Sequence, residues 1–193
     1  KIGFINRYGN EVIGLQFDGS DEDVVQFNDG TAVVRKGEKY GVIDKTGSEI
    51  KAFDYKRIYP LQDERFLAKK KGKFGFFNKD GIDVIPFEFT DALGFSEGRA
   101  PILVNENWGF IDDAGQVVIE PVYQEVSDFR QGAAIVVRTD FSCLIDKSGE
   151  LLVPCGMDAI VPAYDELLRI EKEDKMAYFD LRTKKFIWKA AGF

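Results

Sequence analysis

Short apolar runs separated by polar turns define the secondary structure that this sequence predicts. Near the middle of the chain, three such runs follow one another: Gly98–Val104, Trp108–Asp112 and Gln116–Glu120. They are rich in β-branched and aromatic residues, and the polar segments 105–107 and 112–115 separate them. Runs of this length and composition, bounded by turn residues, are typical of β-strands. The segment therefore predicts a three-stranded antiparallel meander.

The same pattern recurs along the whole chain. Positions equivalent to Gly109 return every 34 residues, except that the first interval is 38 residues long. A fixed period of this size indicates a repeat architecture, in which each unit buries its apolar face against the next. We therefore interpret 1–193 as a single repeat domain that opens inside a unit, with anchors at Gly3, Gly41, Gly75, Gly109, Cys143 and Ala177. The last two units lack the glycine, as expected of degenerate caps.

Each unit carries an Asp or Asn after its second strand and, in all but the last, a glycine three residues later, as at Asp112 and Gly115. Such a side chain can accept a hydrogen bond from the backbone two residues on, and the glycine can adopt positive φ. A type I turn followed by glycine is a favoured hairpin connection. The regular spacing favours this turn role over a metal-ligand role for the Asp residues.

Two features predict how each third strand ends. Because proline cannot donate to a strand ladder, we expect pairing to stop at the prolines that follow these strands. The connector 122–132 has apolar residues three positions apart, which allows one or two helical turns before the next unit. The prolines concerned are Pro86, Pro121 and Pro154.

The charge balance bears on the class of partner. The net charge is −7 and the pI is about 4.8, whereas nucleic-acid-binding proteins usually carry a basic face. We therefore predict no nucleic-acid partner. The one basic cluster, 69–73, is interpreted as a solvated hairpin tip, with a site for an anionic partner as the alternative. The acidic stretch Asp18–Asp23 is interpreted as a solvated loop, with a site for a cation or a cationic partner as the alternative.

The chain has no apolar run close to the roughly 18 residues of a transmembrane helix. No signal peptide is visible in a sequence that begins with Lys1. The location therefore stays open, although an extracytoplasmic one, in the cell envelope or secreted, is preferred. We expect a monomer.

Catalytic chemistry has little support in this sequence. It has no histidine, which excludes histidine triads, histidine general bases and histidine metal sites. The glycines follow the hairpins and do not form a phosphate-binding loop. We predict no catalytic residue, no metal and no cofactor, and we expect Trp108 to pack against a neighbouring unit in preference to stacking on a ligand.

Cys143 and Cys155 lie 12 residues apart around one hairpin. Simple pairing through the turn places Cys143 opposite about Leu152, so Cys155 lies past the register. This favours free buried thiols, with a disulfide as the alternative.

The motif Trp-Gly-Phe-Ile-Asp-x-x-Gly at 108–115, followed by Val-Ile-Glu-Pro-x-Tyr, resembles the bacterial WG-repeat (KWG-repeat) family. The resemblance extends over essentially the whole chain, about five and a half units. It implies an interaction module, and no catalytic residues come with the motif. A fainter similarity links these hairpins to choline-binding cell-wall repeats, whose repeats are shorter.

The sequence therefore predicts an all-β, propeller-like fold of tandem three-stranded antiparallel meanders, with an open β-solenoid or superhelix as the alternative. The predicted function is a non-enzymatic binding or scaffold module for a protein or a glycan. The alternatives are a cell-wall or carbohydrate-binding protein and, third, a hydrolase that lacks histidine. No binding residues are assigned from the sequence.

Overall fold

The computed structural model describes residues 1–19 and 25–193, which form strands and turns with no helix among them. The chain divides into two compact units, Lys1–Gly94 and Phe95–Phe193. The strands of unit 1 are β1 (Ile2–Ile5), β2 (Glu11–Phe17), β3 (Thr31–Lys36), β4 (Lys39–Asp44), β5 (Glu49–Tyr55), β6 (Arg57–Ile58), β7 (Arg65–Lys70), β8 (Lys73–Asn78), β9 (Asp83–Phe89) and β10 (Asp91–Ala92). Those of unit 2 are β11 (Ala100–Val104), β12 (Asn107–Ile111), β13 (Val117–Tyr123), β14 (Glu125–Val126), β15 (Ala133–Arg138), β16 (Phe141–Asp146), β17 (Leu151–Met157), β18 (Ala159–Tyr164), β19 (Leu167–Lys172), β20 (Lys175–Asp180) and β21 (Lys185–Lys189).

Antiparallel sheets repeat within each unit. In unit 1, the sheets run β1-β2, β3-β4-β5 and β6-β7-β8-β9, and unit 2 contains β14-β15-β16-β17 and β18-β19-β20-β21. The predicted meanders are therefore confirmed, and three of these five sheets carry a further strand in front: β6, β14 and β18. Strand β14 is one such strand, and it lies in the connector for which helical turns were expected. That expectation is wrong because Glu125 and Val126 pair with Val137 and Val136 in an extended ladder.

The prolines do not end the third strands. Strand β13 continues through Pro121, with Phe110 opposite Ile119 and Trp108 opposite Tyr123. Three residues of β13 therefore lie opposite Gly109 in a bulge, where the missing NH of proline removes no ladder bond. The same register shift occurs around Pro86 and Pro154. The expectation that pairing stops at these prolines is wrong for this reason.

The bulge also decides the cysteine pairing. Cys143 and Cys155 form a disulfide with their Cα atoms 4.4 Å apart, so the preference for free thiols is wrong. Ser142 pairs with Met157 and Leu144 with Val153, which brings the bulged residue Cys155 opposite Cys143. A hairpin count without the bulge misses this contact.

Aromatic side chains from successive sheets fill the core, as predicted for a repeat interface. In unit 1, Tyr55 and Phe77 are buried with ring centroids 5.7 Å apart, and Phe66 stacks on Phe77 at 4.9 Å. In unit 2, Phe110 meets Phe129 edge to face at 4.9 Å. Trp108 lies partly buried against the same cluster, in agreement with its predicted packing role.

The hairpin turns have the predicted chemistry. The Asp112 Oδ1 accepts hydrogen bonds from the backbone NH groups of Ala114 and Gln116, both at 2.9 Å. Gly115 has φ 79°, and its NH donates to the Asp112 carbonyl at 2.9 Å. The carboxylate oxygen is therefore used within the turn, which supports the turn role over metal ligation.

The turns at Asp44 and Asp146 give the fold a predictable acid sensitivity. The Thr46 hydroxyl and backbone NH groups hold the pKa of Asp44 below its usual value of 3.8. At Asp146, partial burial acts in the opposite direction, but hydrogen bonds from Ser148 and neighbouring NH groups still lower the pKa. A lowered folded-state pKa stabilises the fold above the unfolded pKa, and this stabilisation is lost as the pH falls through the folded value. We expect the double variant Asp44→Asn/Asp146→Asn to show a shallower loss of stability below about pH 4.

Urea unfolding of the wild type and the double variant between pH 6 and pH 2.5 tests this expectation. Asparagine is compatible with this turn, since Asn78 at the equivalent position accepts the same two backbone hydrogen bonds through its amide oxygen, at 3.1 and 2.9 Å. Equal slopes of stability against pH for both proteins would contradict the assignment.

Candidate binding groove

An open groove of about 430 Å³ lies in unit 1, between the sheets β3-β4-β5 and β6-β7-β8-β9. Its lining combines positive charge with aromatic rings. Four residues are cationic: Arg35, Lys56, Arg57 and Lys69. The others are Tyr40, Tyr59, Phe74 and the single carboxylate Glu38. We call this set of residues the cationic groove.

Strand register brings these residues together. Arg35 on β3 lies directly opposite Tyr40 on β4, and Lys69 on β7 lies directly opposite Phe74 on β8. Residues directly opposite in an antiparallel pair project on the same face. Two adjacent sheets therefore each contribute one cation and one ring to the groove.

The short strand β6 adds the remaining charge. Arg57 pairs with Lys69, and the preceding Lys56 donates its backbone NH to the Lys69 carbonyl at 2.8 Å. Like charges directly opposite one another destabilise a sheet. The corresponding pairs in unit 2, Glu125 with Val137 and Ala159 with Glu171, contain no like charges. Unit 1 thus departs from a local rule of sheet stability here, as functional sites often do.

Two of the aromatic rings hold the cations in place. The Arg57 guanidinium lies 5.4 Å from the centroid of Tyr59, and the Lys69 ammonium lies 4.6 Å from that of Phe74. Both distances are within the range of cation–π attraction. Phe74 is 5% exposed, so its ring forms a fixed base beneath Lys69.

The groove cations keep their charge available. Within the described parts of the chain, none of Arg35, Lys56, Arg57 and Lys69 forms an ion pair. Their neighbour Lys70 differs, because it lies 2.7 Å from the Asp54 carboxylate. The contrast separates Lys69, which lines the groove, from its neighbour Lys70.

Comparison of equivalent positions along the repeat shows that the positive charge of the groove is not shared by the later units. The residues 34 positions after the groove cations are Lys69, Thr90, Asp91 and Leu103, and those 68 positions after are Leu103, Gln124, Glu125 and Val137. The charge is thus lost along the chain: 68 positions on, three of the four equivalent positions are neutral, and the position of Arg57 is acidic at both Asp91 and Glu125. Since the scaffold is common to all units, the cations of the groove are not required by the fold.

The acidic stretch Asp18–Asp23 falls only partly within the described residues. Asp18 bonds to the Lys1 ammonium, and one of its carboxylate oxygens accepts the Gly37 NH at 2.7 Å. These two bonds, with help from the nearby charge of Arg35, lower the pKa of Asp18. Asp21, Glu22 and Asp23 lie outside the described residues.

The described residues offer neither a metal site nor a membrane-spanning helix. Across 1–19 and 25–193, no group of three or more Cys, Asp or Glu side chains is placed to hold a metal ion. None of the described segments forms a helix long and apolar enough to cross a membrane.

Sequence reasoning found part of the groove. The basic cluster 69–73 pointed to Lys69, with an anionic partner as the alternative reading. Arg35, Lys56 and Arg57 were missed because they are up to 34 residues from Lys69 in sequence. A signal was available for Lys56 and Arg57, whose equivalents in the next unit are Thr90 and Asp91, but not for Arg35, whose equivalent is Lys69.

Similar folds occur among proteins of known structure. Among solved structures, the fold is similar to that of a eukaryotic initiation factor, with 9% identity and a TM-score of 0.57 over 94% of this chain and 57% of that chain. BamB from Moraxella catarrhalis has 12% identity and a TM-score of 0.48, over 95% of this chain and 65% of that chain. Hsv2 from Kluyvelomyces marxianus has 13% identity and a TM-score of 0.49, over 79% of this chain and 60% of that chain.

The chain therefore spans 57 to 65% of the length of these structures. At such low identities the similarity concerns the fold alone. The initiation factor, with its TM-score of 0.57, supports the predicted all-β, propeller-like arrangement of tandem antiparallel sheets.

No curated protein matches the sequence. The family model for the WG containing repeat matches four successive segments, 2–40, 40–74, 74–108 and 108–139. The matches end before Cys143 and Ala177, the two positions at which the motif glycine is replaced. They cover more than half of the sequence, and the chain belongs to the family of WG-containing repeat proteins.

Proposed function

We propose that this chain is a non-enzymatic binding module that recognises a partner protein through the cationic groove. The observation that carries the proposal is the set of four groove cations without ion pairs within the described residues. Charged groups without an ion-pair partner, gathered in a concave site with aromatic rings, are typical of recognition sites.

The chemistry of the chain supports binding over catalysis. The sequence has no histidine, and both cysteines are bonded to each other, so neither supplies a thiolate nucleophile. The turn carboxylates accept backbone hydrogen bonds within their own hairpins. The groove itself contributes cations and rings, with Glu38 as its one carboxylate. This composition suits attraction of a ligand better than acid–base chemistry on one.

The disulfide supports an extracytoplasmic site of action. Disulfides persist in oxidising compartments such as the cell envelope and are rare in the reducing cytosol. The Cys143–Cys155 bond therefore agrees with the preferred location in the envelope or outside the cell.

Affinity capture with a groove variant tests the proposal. The variant Lys56→Thr/Arg57→Asp introduces the residues that the next unit carries at Thr90 and Asp91, where the backbone forms the equivalent short strand β10. The control Lys45→Gln/Lys79→Asp makes the same change in net charge at exposed turn positions outside the groove. We expect the wild type and the control to retain a protein from envelope extracts of the source organism that the groove variant does not retain.

Equal retention by all three proteins would overturn the assignment to the groove. A glycan that is bound by the wild type and the control, in the absence of any retained protein, would instead favour the carbohydrate-binding alternative.

A further inference from the structure

We infer that the cationic groove binds a short acidic segment of a partner protein, one that presents several Asp or Glu carboxylates. This inference rests on the proposed function, since it names the chemistry of the ligand for the same site. The juxtaposition that carries it is Arg57 opposite Lys69, with each cation lying over a ring.

Charge complementarity is the first argument. The chain has a net charge of −7, so its charge as a whole repels an anionic partner. A concave site of the opposite sign concentrates field lines and raises the local concentration of anionic groups. The groove thus gives an acidic segment a favourable place to bind on a chain whose net charge opposes binding.

Carboxylate geometry is the second argument. Arg35 and Arg57 each present a planar fork of NH donors that matches both oxygens of a carboxylate. Lys56 and Lys69 supply compact charges that accept a carboxylate from several directions. Four cations from two sheets can therefore bind more than one carboxylate, as expected for a run of Asp and Glu residues.

The covered rings are the third argument, and they decide between classes of anion. Sugars and nucleobases bind to aromatic residues through an open ring face. Arg57 lies over Tyr59 and Lys69 over Phe74, so two of the three rings present a cation where a sugar or base would stack. The position of Arg57 also becomes acidic in the following units, at Asp91 and Glu125. A phosphate backbone that continued along the repeat would meet these charges.

Glu38 is expected to limit the affinity of the groove for acidic ligands. It is exposed at the tip between β3 and β4, and it is the only carboxylate among the lining residues. A carboxylate at the rim of the groove weakens the binding of an acidic ligand wherever a carboxylate of the ligand approaches it. The variant Glu38→Gln should therefore bind the acidic ligand more tightly, which distinguishes charge recognition from a merely structural role of the groove.

Amide chemical-shift titration of the ¹⁵N-labelled chain tests the inference, because it detects weak binding and locates it. The probes are the capped peptide Glu-Glu-Phe-Glu-Glu, its neutral counterpart Gln-Gln-Phe-Gln-Gln, trigalacturonic acid and an eight-residue oligothymidylate. We expect saturable shifts at groove amides with the acidic peptide, and Kd values at least tenfold weaker for the neutral peptide and for the other two anions.

The variants complete the test. Lys56→Thr/Arg57→Asp should weaken binding of the acidic peptide at least tenfold, Glu38→Gln should tighten it at least twofold, and Lys45→Gln/Lys79→Asp should change it less than twofold. Stronger binding of trigalacturonic acid or of the oligothymidylate would overturn the peptide assignment. Absence of saturable shifts with the acidic peptide would overturn it as well. If affinity capture still depended on the groove in that case, the proposed function would stand without this ligand.

Discussion

Replacing Gly109 by alanine is expected to destabilise the fold by about 3 kcal/mol. A Cβ atom at this position would lie 2.5 Å from the Ile119 carbonyl oxygen and 2.7 Å from the Pro121 nitrogen. Both atoms belong to the backbone of β13, so relief requires movement of the bulge and not a change of rotamer. Trp108, beside the mutated residue, provides the fluorescence signal for urea unfolding.

Two control variants separate this steric effect from the general cost of changing a glycine. Gly14→Ala should change stability by less than about 0.5 kcal/mol, because its added Cβ would meet only the flexible Glu11 side chain at 3.5 Å. Ala177→Gly should destabilise by about 1 kcal/mol. Ala177 occupies the motif position in the last unit, where it pairs directly with Lys189 and no three-residue bulge faces it.

One result would contradict the predicted effect of Gly109→Ala. A Gly109→Ala protein with the urea midpoint of the wild type would mean that β13 moves at little cost. The motif glycine would then need another explanation than close approach of the backbone.

The period and the turn chemistry could be predicted because both depend on local sequence. The Asp112–Gly115 turn needs one side-chain acceptor and one residue with positive φ, and both are visible in a short window. The repeat of this turn fixed the number of units and the positions of the strands. Local physical rules and the structure agree for these features.

The register beyond each turn could not be predicted in the same way. The bulge opposite Gly109 skips three residues of β13, and its size depends on packing of the third strand, not on the turn that precedes it. The proline and cysteine predictions failed for this single reason. The clue lay in the repeat, since the partners of the motif glycines, Phe53 and Phe87, lie 12 residues on, the same spacing as Cys155 from Cys143.

The groove could not be predicted from the sequence for a different reason. Its cations come from β3, β6, β7 and the residue before β6. Only the pairing of β6 with β7 and the packing of adjacent sheets bring them together. Charge along the sequence suggested a solvated hairpin tip at 69–73. The structure shows that adjacent lysines in this cluster differ, since Lys70 is paired with Asp54 and Lys69 is directed to the groove.

Reduction of the Cys143–Cys155 disulfide is expected to lower the free energy of unfolding by about 3 kcal/mol. The bond closes a loop with a sequence separation of 12 residues, and its loss restores the conformational freedom of that loop in the unfolded chain. Urea unfolding with and without a phosphine reductant measures the effect. Tryptophan fluorescence is a suitable probe, because both tryptophans, Trp108 and Trp188, lie in unit 2 with the disulfide.

The matched control restores the pair that other units use. In unit 1, Gly41 and Gly75 face the bulged residues Phe53 and Phe87, so the variant Cys143→Gly/Cys155→Phe should fold and show no response to reductant. Its stability should lie between those of the oxidised and reduced wild type, because the ring contact replaces part of the cross-link while the loop stays open. A wild-type midpoint that does not change on reduction, with both thiols shown to be free by titration, would contradict the assigned role. The disulfide would then occupy the position of the glycine–aromatic pair without adding to the stability of the fold.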